Sequence, residues 1–253
     1  MYVVALRQVD GTPEALAEVM GSSIFDARPH LHARGPRVLA TFAANEDATR
    51  LATALVAAKF DAFVLDLAPE SQVEVVPRSF VLRPDGVQVT LRDGLPLAVR
   101  FDRIQVLLRG TRMAQERHTE VTHHRKLSIE RAVLTGGLIM TKTEKKEVTR
   151  TIDQREGFLH VRAAGVSAVE LRESELLYDG LGAQREPTRT GNFAKLVAIL
   201  REGAPQARWD DRMLARAGQL EVLGTVLTPE NDLDVAIAVL DHVLRPTVSD
   251  TAA

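Results

Sequence analysis

Three short runs of β-forming residues, separated by Asp-Gly pairs, constrain the fold of this chain most strongly. The runs are Ser79–Arg83, Val87–Leu91 and Pro96–Val99, and the pairs are Asp85-Gly86 and Asp93-Gly94. An Asp-Gly pair supplies the positive φ angles that a tight hairpin loop needs, so the runs on either side of it pair as antiparallel strands. The middle of the chain is therefore predicted to form an antiparallel sheet.

Four more strands and one amphipathic helix are predicted after this sheet. The strands are Val106–Leu108, Glu147–Ile152, Phe158–Arg162 and Ser167–Arg172. Thr190 is positioned to cap the helix, and Gly203 and Pro205 are positioned to end it. Apolar residues recur in the helix at i, i+3, i+4 and i+7, which predicts one buried face. That face is formed by Phe193, Leu196, Val197 and Leu200.

Seven antiparallel strands followed by one amphipathic helix, over about residues 78–203, resemble a bacterial PH-like barrel. The Phe101–Ile104 step resembles the aromatic-x-x-Ile element that leads into the fourth strand of such domains. The resemblance implies a barrel in which the helix plugs one open end. An unrelated antiparallel α+β sheet gives much the same pattern, so both folds stay open at this point.

The first seventy residues have the order strand, two helices, strand, helix, strand. Thr12 and Ser23 are placed to cap the first two helices, and Pro29 should kink or delay the second. One core is predicted here, formed by Leu6, Leu16, Val19, Leu39, Leu51, Leu55 and Val64. The element order resembles the C-terminal domain of the bacterial ribosomal stalk protein over residues 1–68. The matching stretch Met20–Pro29 keeps one glycine and has no lysine, so the resemblance implies the fold without translation-factor binding.

Together these patterns predict an α+β protein. It consists of a small strand-helix-helix-strand-helix-strand domain and an antiparallel PH-like barrel with C-terminal helices. The predicted boundaries are residues 1–70, residues 74–203 with a long excursion at 109–155, a helical extension at 204–246 and a disordered tail at 247–253. In the extension, Asp210-Asp211 is expected to begin a short helix. Thr228-Pro229 is expected to begin the last helix, whose apolar stripe needs a partner within the chain or on a second copy.

Composition and sequence pattern exclude several classes of protein. The net charge of −2 gives no general attraction to nucleic acid, and the absence of cysteine excludes disulfides and Cys-ligated zinc. No secretory signal is expected, because Arg7 interrupts the N-terminal apolar run. The longest uncharged apolar run, Ala132–Met140, is far shorter than the ~20 residues of a membrane-spanning helix. Arginine outnumbers lysine 26 to 6, a bias associated with GC-rich bacterial genomes. We expect a bacterial cytoplasmic protein, with attachment to the membrane surface as the alternative.

One connection, residues 109–155, departs from the strand pattern. It holds eleven Lys or Arg and six Asp or Glu, so its charge is +5 and the rest of the chain carries −7. Within it, residues 117–150, here named the basic–apolar segment, place a mostly apolar centre between clustered basic residues. The segment is either a connection packed onto the barrel or a surface that binds a partner, a second copy or anionic lipid. The candidate binding residues are Arg125, Lys126, Ile129, Val133, Leu134, Leu138, Ile139, Met140, Lys142, Lys145 and Lys146.

No catalytic, metal or cofactor site is predicted. His118 and His124 would share a face of one strand but lie ~20 Å apart at ~3.3 Å per residue, too far for a common metal. Gly136-Gly137 lacks the Gly-Lys-Ser/Thr of a phosphate loop. Residues 126–146 hold no aromatic residue for stacking on bases, so nucleic-acid binding is not expected. The leading expectation is a non-enzymatic interaction or scaffolding module. A peripheral membrane protein is the second expectation, and an enzyme of unrecognised class is the third.

Overall fold

The computed structural model describes residues 1–32, 35–68, 74–127 and 141–246, with the backbone alone for 114–127 and 141–154. The chain divides into two compact units. The larger unit comprises Met1–Arg112 and Glu156–Ala253, and the smaller unit comprises Met113–Arg155. Helices and mostly antiparallel sheets make up the described residues, so the fold class is α+β, as predicted.

The N-terminal elements appear in the predicted order. They are β1 (Tyr2–Leu6), α1 (Pro13–Met20), α2 (Ile24–Ala27), β2 (Arg37–Phe42), α3 (Asn45–Ala57) and β3 (Ala62–Asp66). The Thr12 and Ser23 hydroxyls accept hydrogen bonds from backbone N–H groups of the first turns of α1 and α2, which those turns would otherwise leave unsatisfied. Pro29 lies in a 3₁₀ turn, Arg28–Leu31, that directly follows α2. The predicted caps and the predicted irregularity at Pro29 are confirmed.

The three N-terminal strands form an antiparallel sheet of order β2-β1-β3. One face of this sheet packs with α1, α2 and α3 around an apolar cluster, here named the N-terminal core. All seven residues predicted for one core belong to it, which confirms that prediction. Leu6, Leu16, Leu39 and Leu55 are buried, and Val19, Leu51 and Val64 pack against them.

The middle of the chain forms the predicted hairpins and two strands that are longer than predicted. The strands are β4 (Glu74–Val75), β5 (Pro77–Arg83), β6 (Gly86–Leu91), β7 (Pro96–Arg100), β8 (Ile104–Leu127), β9 (Thr141–Ala163) and β10 (Ala168–Arg172). β5, β6 and β7 pair in antiparallel order, as expected. The prediction that Glu147–Ile152 and Phe158–Arg162 form two separate strands was wrong, because both ranges lie in β9. The polar residues between them continue the strand, since backbone pairing does not depend on apolar side chains.

The C-terminal part contains a strand that the sequence did not predict. The elements are α4 (Arg189–Gly203), β11 (Arg208–Met213), α5 (Arg216–Leu223) and α6 (Pro229–Leu244). The prediction that a helix begins at Asp210-Asp211 was wrong. These residues lie in β11, where Arg208–Asp210 pairs in parallel with Val106–Leu108. The cap of α4 is Thr188, whereas the Thr190 hydroxyl donates a hydrogen bond to Glu173.

A second sheet has five strands, in the order β11-β8-β9-β10-β4. Residues of this sheet, of the β5-β6-β7 sheet and of α4 form one apolar cluster, here named the central core. The four apolar residues predicted for the buried face of α4 all lie in it, which confirms that part of the prediction. Among the described strands the hydrogen-bonded orders form three open sheets and close no barrel.

The other face of the five-stranded sheet contributes to a third cluster, here named the C-terminal core. Val106, Leu108 and Phe158 pack there with residues of α5 and α6 and with Val3 and Ala5 from the outer face of the N-terminal sheet. The apolar stripe of α6 therefore finds its partner within the chain. The described N-terminal and C-terminal elements share a core, while the predicted domain boundaries stay a prediction.

Candidate functional site

One face of the five-stranded sheet changes from apolar to charged along β9 and β10. Side chains alternate between the two faces of a strand, and Leu159 and Val161 belong to the central core. His160 therefore lies on the opposite face, where it is paired directly with Glu170 of β10. Arg162 follows on the same face. These side chains meet residues of α6 and form the candidate site.

His160 is the centre of this site. It is 3% exposed and lies between two carboxylates. Its Nδ1 is 2.7 Å from Oε1 of Glu74, a hydrogen bond that joins β9 to the edge strand β4. Its Nε2 is 3.6 Å from Oδ1 of Asp241 on α6, an ion-pair distance that is too long for a hydrogen bond. Within the described residues Nε2 has no hydrogen-bond partner. The imidazole thus links two strands to the helix that packs on them.

Asp241 accepts hydrogen bonds from two arginines of the site. It is 2% exposed, and its Oδ2 accepts hydrogen bonds from Nε and Nη2 of Arg162 at 3.1 and 2.8 Å. Arg245, one helical turn later, donates to the same oxygen through Nε at 3.2 Å and through Nη2. A carboxylate removed from water needs such charge-assisted hydrogen bonds to stay ionised. Asp241 therefore fixes α6 to β9.

Each charged group of the site shifts the pKa of its neighbours. Burial lowers the pKa of His160, but Asp241 and Glu74 together outweigh burial and raise that pKa to about 9. Burial raises the pKa values of Asp241 and Glu74, and their contacts with His160 and the arginines lower both below the usual range. At neutral pH the site therefore holds an imidazolium between two carboxylates. A general base must be unprotonated at the working pH, so His160 is unsuited to that role.

A second buried carboxylate extends the network. Glu170 has no exposed surface, and it pairs with Arg112 of β8 and Arg172 of β10. Burial and the charge of Glu74 raise the pKa of Glu170, against the opposing effect of the two guanidinium groups. One of its oxygens, Oε2, has no hydrogen-bond partner in the described part of the chain. The ion pairs of His160, Asp241 and Glu170 together connect four strands with α6.

A cavity of about 140 Å³ lies beside His160. Its charged lining residues are Asp66, Glu74, His160, Arg162, Asp234, Asp241 and Arg245. A cavity near 150 Å³ admits a benzene-sized molecule or several waters. No group of three or more His, Asp or Glu in the described ranges is arranged to hold a metal ion. With its imidazolium already paired, the arrangement is suited to holding α6 on the sheet rather than to transferring protons.

The residues predicted to bind a partner lie elsewhere in the chain. Arg125 and Lys126 are in β8, and Lys142, Lys145 and Lys146 are in β9, so the structure places these basic residues on neighbouring strands. Only the backbone of these strand segments is described. The apolar candidates Ile129, Val133, Leu134, Leu138, Ile139 and Met140 lie outside the described residues.

The network around His160 was missed because its members are far apart in sequence. Glu74, His160 and Asp241 lie on three separate elements. One signal was present: His160 and Arg162, and likewise Glu170 and Arg172, alternate with apolar residues in strands. Such alternation is typical of a strand with one face in water. Here part of that face is covered by α6, so the same alternation marks a buried ion network.

The raised pKa of His160 predicts how stability depends on pH. A group whose pKa is higher in the folded than in the unfolded protein stabilises the fold fully below its unfolded pKa, ~6.5 for histidine. This contribution is lost as the pH rises through the folded value of about 9. We therefore expect the stability advantage of the wild type over His160→Gln to shrink by on the order of 3 kcal/mol between pH ~6.5 and ~9. Urea unfolding of both proteins across this range measures it, and a constant difference would contradict the assignment.

Comparison with known proteins gives no match for this chain. No protein-family model matches it, and neither a curated protein nor a solved structure does. The resemblances to the stalk-protein domain and to PH-like barrels therefore stay predictions.

Proposed function

We propose that this protein is a non-enzymatic interaction module of the bacterial cytoplasm that binds a protein partner, or a second copy of itself, through the basic–apolar segment. The observation that carries the proposal is the backbone of the smaller unit, Met113–Arg155, which is compact by itself. β8 and β9 are neighbours in the sheet and run for 24 and 23 residues, against a usual strand length of ~5–6. These strands extend well beyond their residues that pack in the central and C-terminal cores.

The composition of the segment supports a binding role. Four of the six lysines of the chain, Lys126, Lys142, Lys145 and Lys146, lie within it. Between them the sequence is mostly apolar from Ser128 to Met140. An apolar centre with a polar, solvent-accessible rim is the usual arrangement of a protein–protein interface.

Anionic lipid is the second candidate partner for the same segment. Each basic residue close to an anionic membrane contributes about 1 kcal/mol, an attraction that salt screens. Among the described helices, none has the length and apolar character needed to cross a membrane. A peripheral contact with anionic lipid would depend on the lysines of the segment.

A charge-reversal variant separates the two partners. We expect Lys142→Glu/Lys145→Glu/Lys146→Glu to leave an apolar protein contact largely intact, because that contact depends little on charge. The same change should abolish binding to anionic lipid, since it replaces three attractions of about 1 kcal/mol each with repulsions. Sedimentation velocity measures association of the chain, and co-sedimentation with vesicles of phosphatidylserine and phosphatidylcholine measures lipid binding.

The matched control reverses three arginines elsewhere, Arg50→Glu/Arg83→Glu/Arg185→Glu, which are exposed in the larger unit. This variant changes the net charge by the same amount and should bind like the wild type. Salt-sensitive vesicle binding that only the lysine variant loses would assign the segment to lipid. Absence of both association and vesicle binding in the wild type would overturn the proposal for a second copy and for lipid.

We also propose PH-like and stalk-like folds for the two main parts of the larger unit. Support for the first comes from two sheets and α4 meeting in one core. The parallel strands β4 and β11 are additions to that pattern. Support for the second comes from the element order from β1 to β3. Neither likeness brings a ligand or partner with it.

A further inference from the structure

A second surface of the larger unit has the features of a ligand site. A groove of about 630 Å³ runs between α4 and the strands β8 and β11. Small-molecule sites usually measure ~300–1,000 Å³. Ala194 and Ala198 lie one helical turn apart on α4 and line the groove with Leu107. Because each has only a methyl side chain, space remains between α4 and the sheet. Its apolar lining is completed by Val197, Ala204, Pro205 and Ala207.

Two arginines give this apolar groove a positive character. The guanidinium of Arg201 lies over the ring of Trp209, 4.5 Å from the ring centre, and both residues line the groove. Arg109 of β8 lines it as well, and one acidic residue, Glu202, faces it from α4. The charged lining therefore carries a net positive charge.

Arg109 is the groove residue that most favours an anionic ligand. Its side chain is partly buried, yet it has no hydrogen-bond or ion-pair partner within the described residues. By contrast, the partly buried Arg112, three residues later on the same strand, pairs with Glu170. The Arg109 guanidinium is therefore not engaged by a carboxylate of the described residues, and an anionic ligand in the groove could form charge-assisted hydrogen bonds with it. The aromatic and aliphatic wall beside it would hold an apolar body.

We propose that this groove binds a small organic anion, with its acidic group on Arg109 and Arg201 and its apolar body against Trp209 and the alanines of α4. The site is formed by residues outside the basic–apolar segment, so it goes beyond the proposed interaction role. The groove favours a ligand with both parts, because an anion alone would leave the apolar wall in contact with water and an apolar molecule alone would leave Arg109 without an anionic partner.

Trp209 makes the test direct, because it is the one tryptophan of the chain. The probe is 8-anilinonaphthalene-1-sulfonate, an aromatic anion that accepts excitation energy from tryptophan. Its matched control is N-phenyl-1-naphthylamine, the same ring system without the sulfonate. We expect the sulfonate probe to quench Trp209 and to bind at least about tenfold more tightly than the neutral probe, since a hydrogen bond to a charged group is worth that factor or more.

Two single variants place the probe in the groove. Arg109→Gln and Arg201→Gln should each weaken the sulfonate probe about tenfold or more and leave the neutral probe unchanged. Arg201 is exposed, so its variant keeps the fold if Arg109→Gln does not. Because Arg201 also touches Trp209, emission of the directly excited probe is recorded too. Arg50→Gln, exposed on α3, is the control. Equal affinity for both probes, or sulfonate binding that neither variant weakens, would overturn the proposal.

Discussion

Replacing Phe193 with alanine is expected to lower the free energy of unfolding by about 3–5 kcal/mol, the usual cost of removing a large side chain from a core. Phe193 is 2% exposed and lies in the central core between α4 and the sheets. Its ring passes so close to Gly157 of β9 that a Cβ there would lie 2.9 Å from Cε1. Removing the ring would leave a cavity that the strands cannot readily fill.

Phe25→Ala is the matched control for this loss. Phe25 is 82% exposed on α2, so its truncation should change stability by no more than about 0.5 kcal/mol. Urea unfolding of the wild type and both variants gives the two values directly. A loss below about 1 kcal/mol for Phe193→Ala would mean that α4 does not close the central core.

Neutralising Asp241 is expected to cost a similar amount by a different mechanism. Asp241→Asn removes a buried negative charge and keeps the size of the side chain. His160 and Arg162 then lose the negative charge that both face while still beneath α6, and breaking such a buried pair costs about 3–5 kcal/mol. Thermal or urea unfolding measures the loss.

Asp234→Asn provides the control on the same helix. Asp234 is 69% exposed, and its Oδ1 lies 3.7 Å from Nη2 of Arg112. An exposed pair of this kind contributes ~0–1 kcal/mol. If the two variants were equally stable, the network around His160 would not be what holds α6 on the sheet.

Local chemistry was enough to predict the elements whose ends are set by neighbouring residues. Thr12 and Ser23 cap their helices as predicted, since a cap and the N–H it satisfies are three residues apart. The β5-β6-β7 meander was predicted from its two Asp-Gly pairs, of which only Gly94 has a positive φ, because the first loop is Pro84-Asp85 and Gly86 already pairs with Arg83. The apolar stripe of α4 is buried because its 3.6-residue period leaves only one face to pack.

Elements that depend on distant partners could not be predicted in this way. β11 forms by pairing in parallel with Val106–Leu108, about a hundred residues earlier in the chain, and the acidic pair within it is typical of a helix start. β4 is two residues long and pairs in parallel with β10. Nothing in either short sequence indicates its partner.

The candidate site shows the same limit. The alternation in β9 and β10 correctly separates an apolar face from a charged face. Whether the charged face meets water depends on α6, whose Asp241 is 81 positions beyond His160 in the chain. The raised pKa of His160 is caused by Asp241 and Glu74, which lie far from it in sequence, so it could not be predicted from any local pattern.

The interaction role of the basic–apolar segment is tested most directly by capture of binding proteins on the intact chain. Tagged wild type and a Leu134→Asp/Leu138→Asp variant are each exposed to a lysate that also contains untagged chain, and retained proteins are quantified by mass spectrometry at low and high salt. We predict that the wild type retains one protein in near-stoichiometric amount at both salt concentrations, either the untagged chain or another, and that the variant loses it. Retention of the same proteins in the same amounts by both would contradict the account.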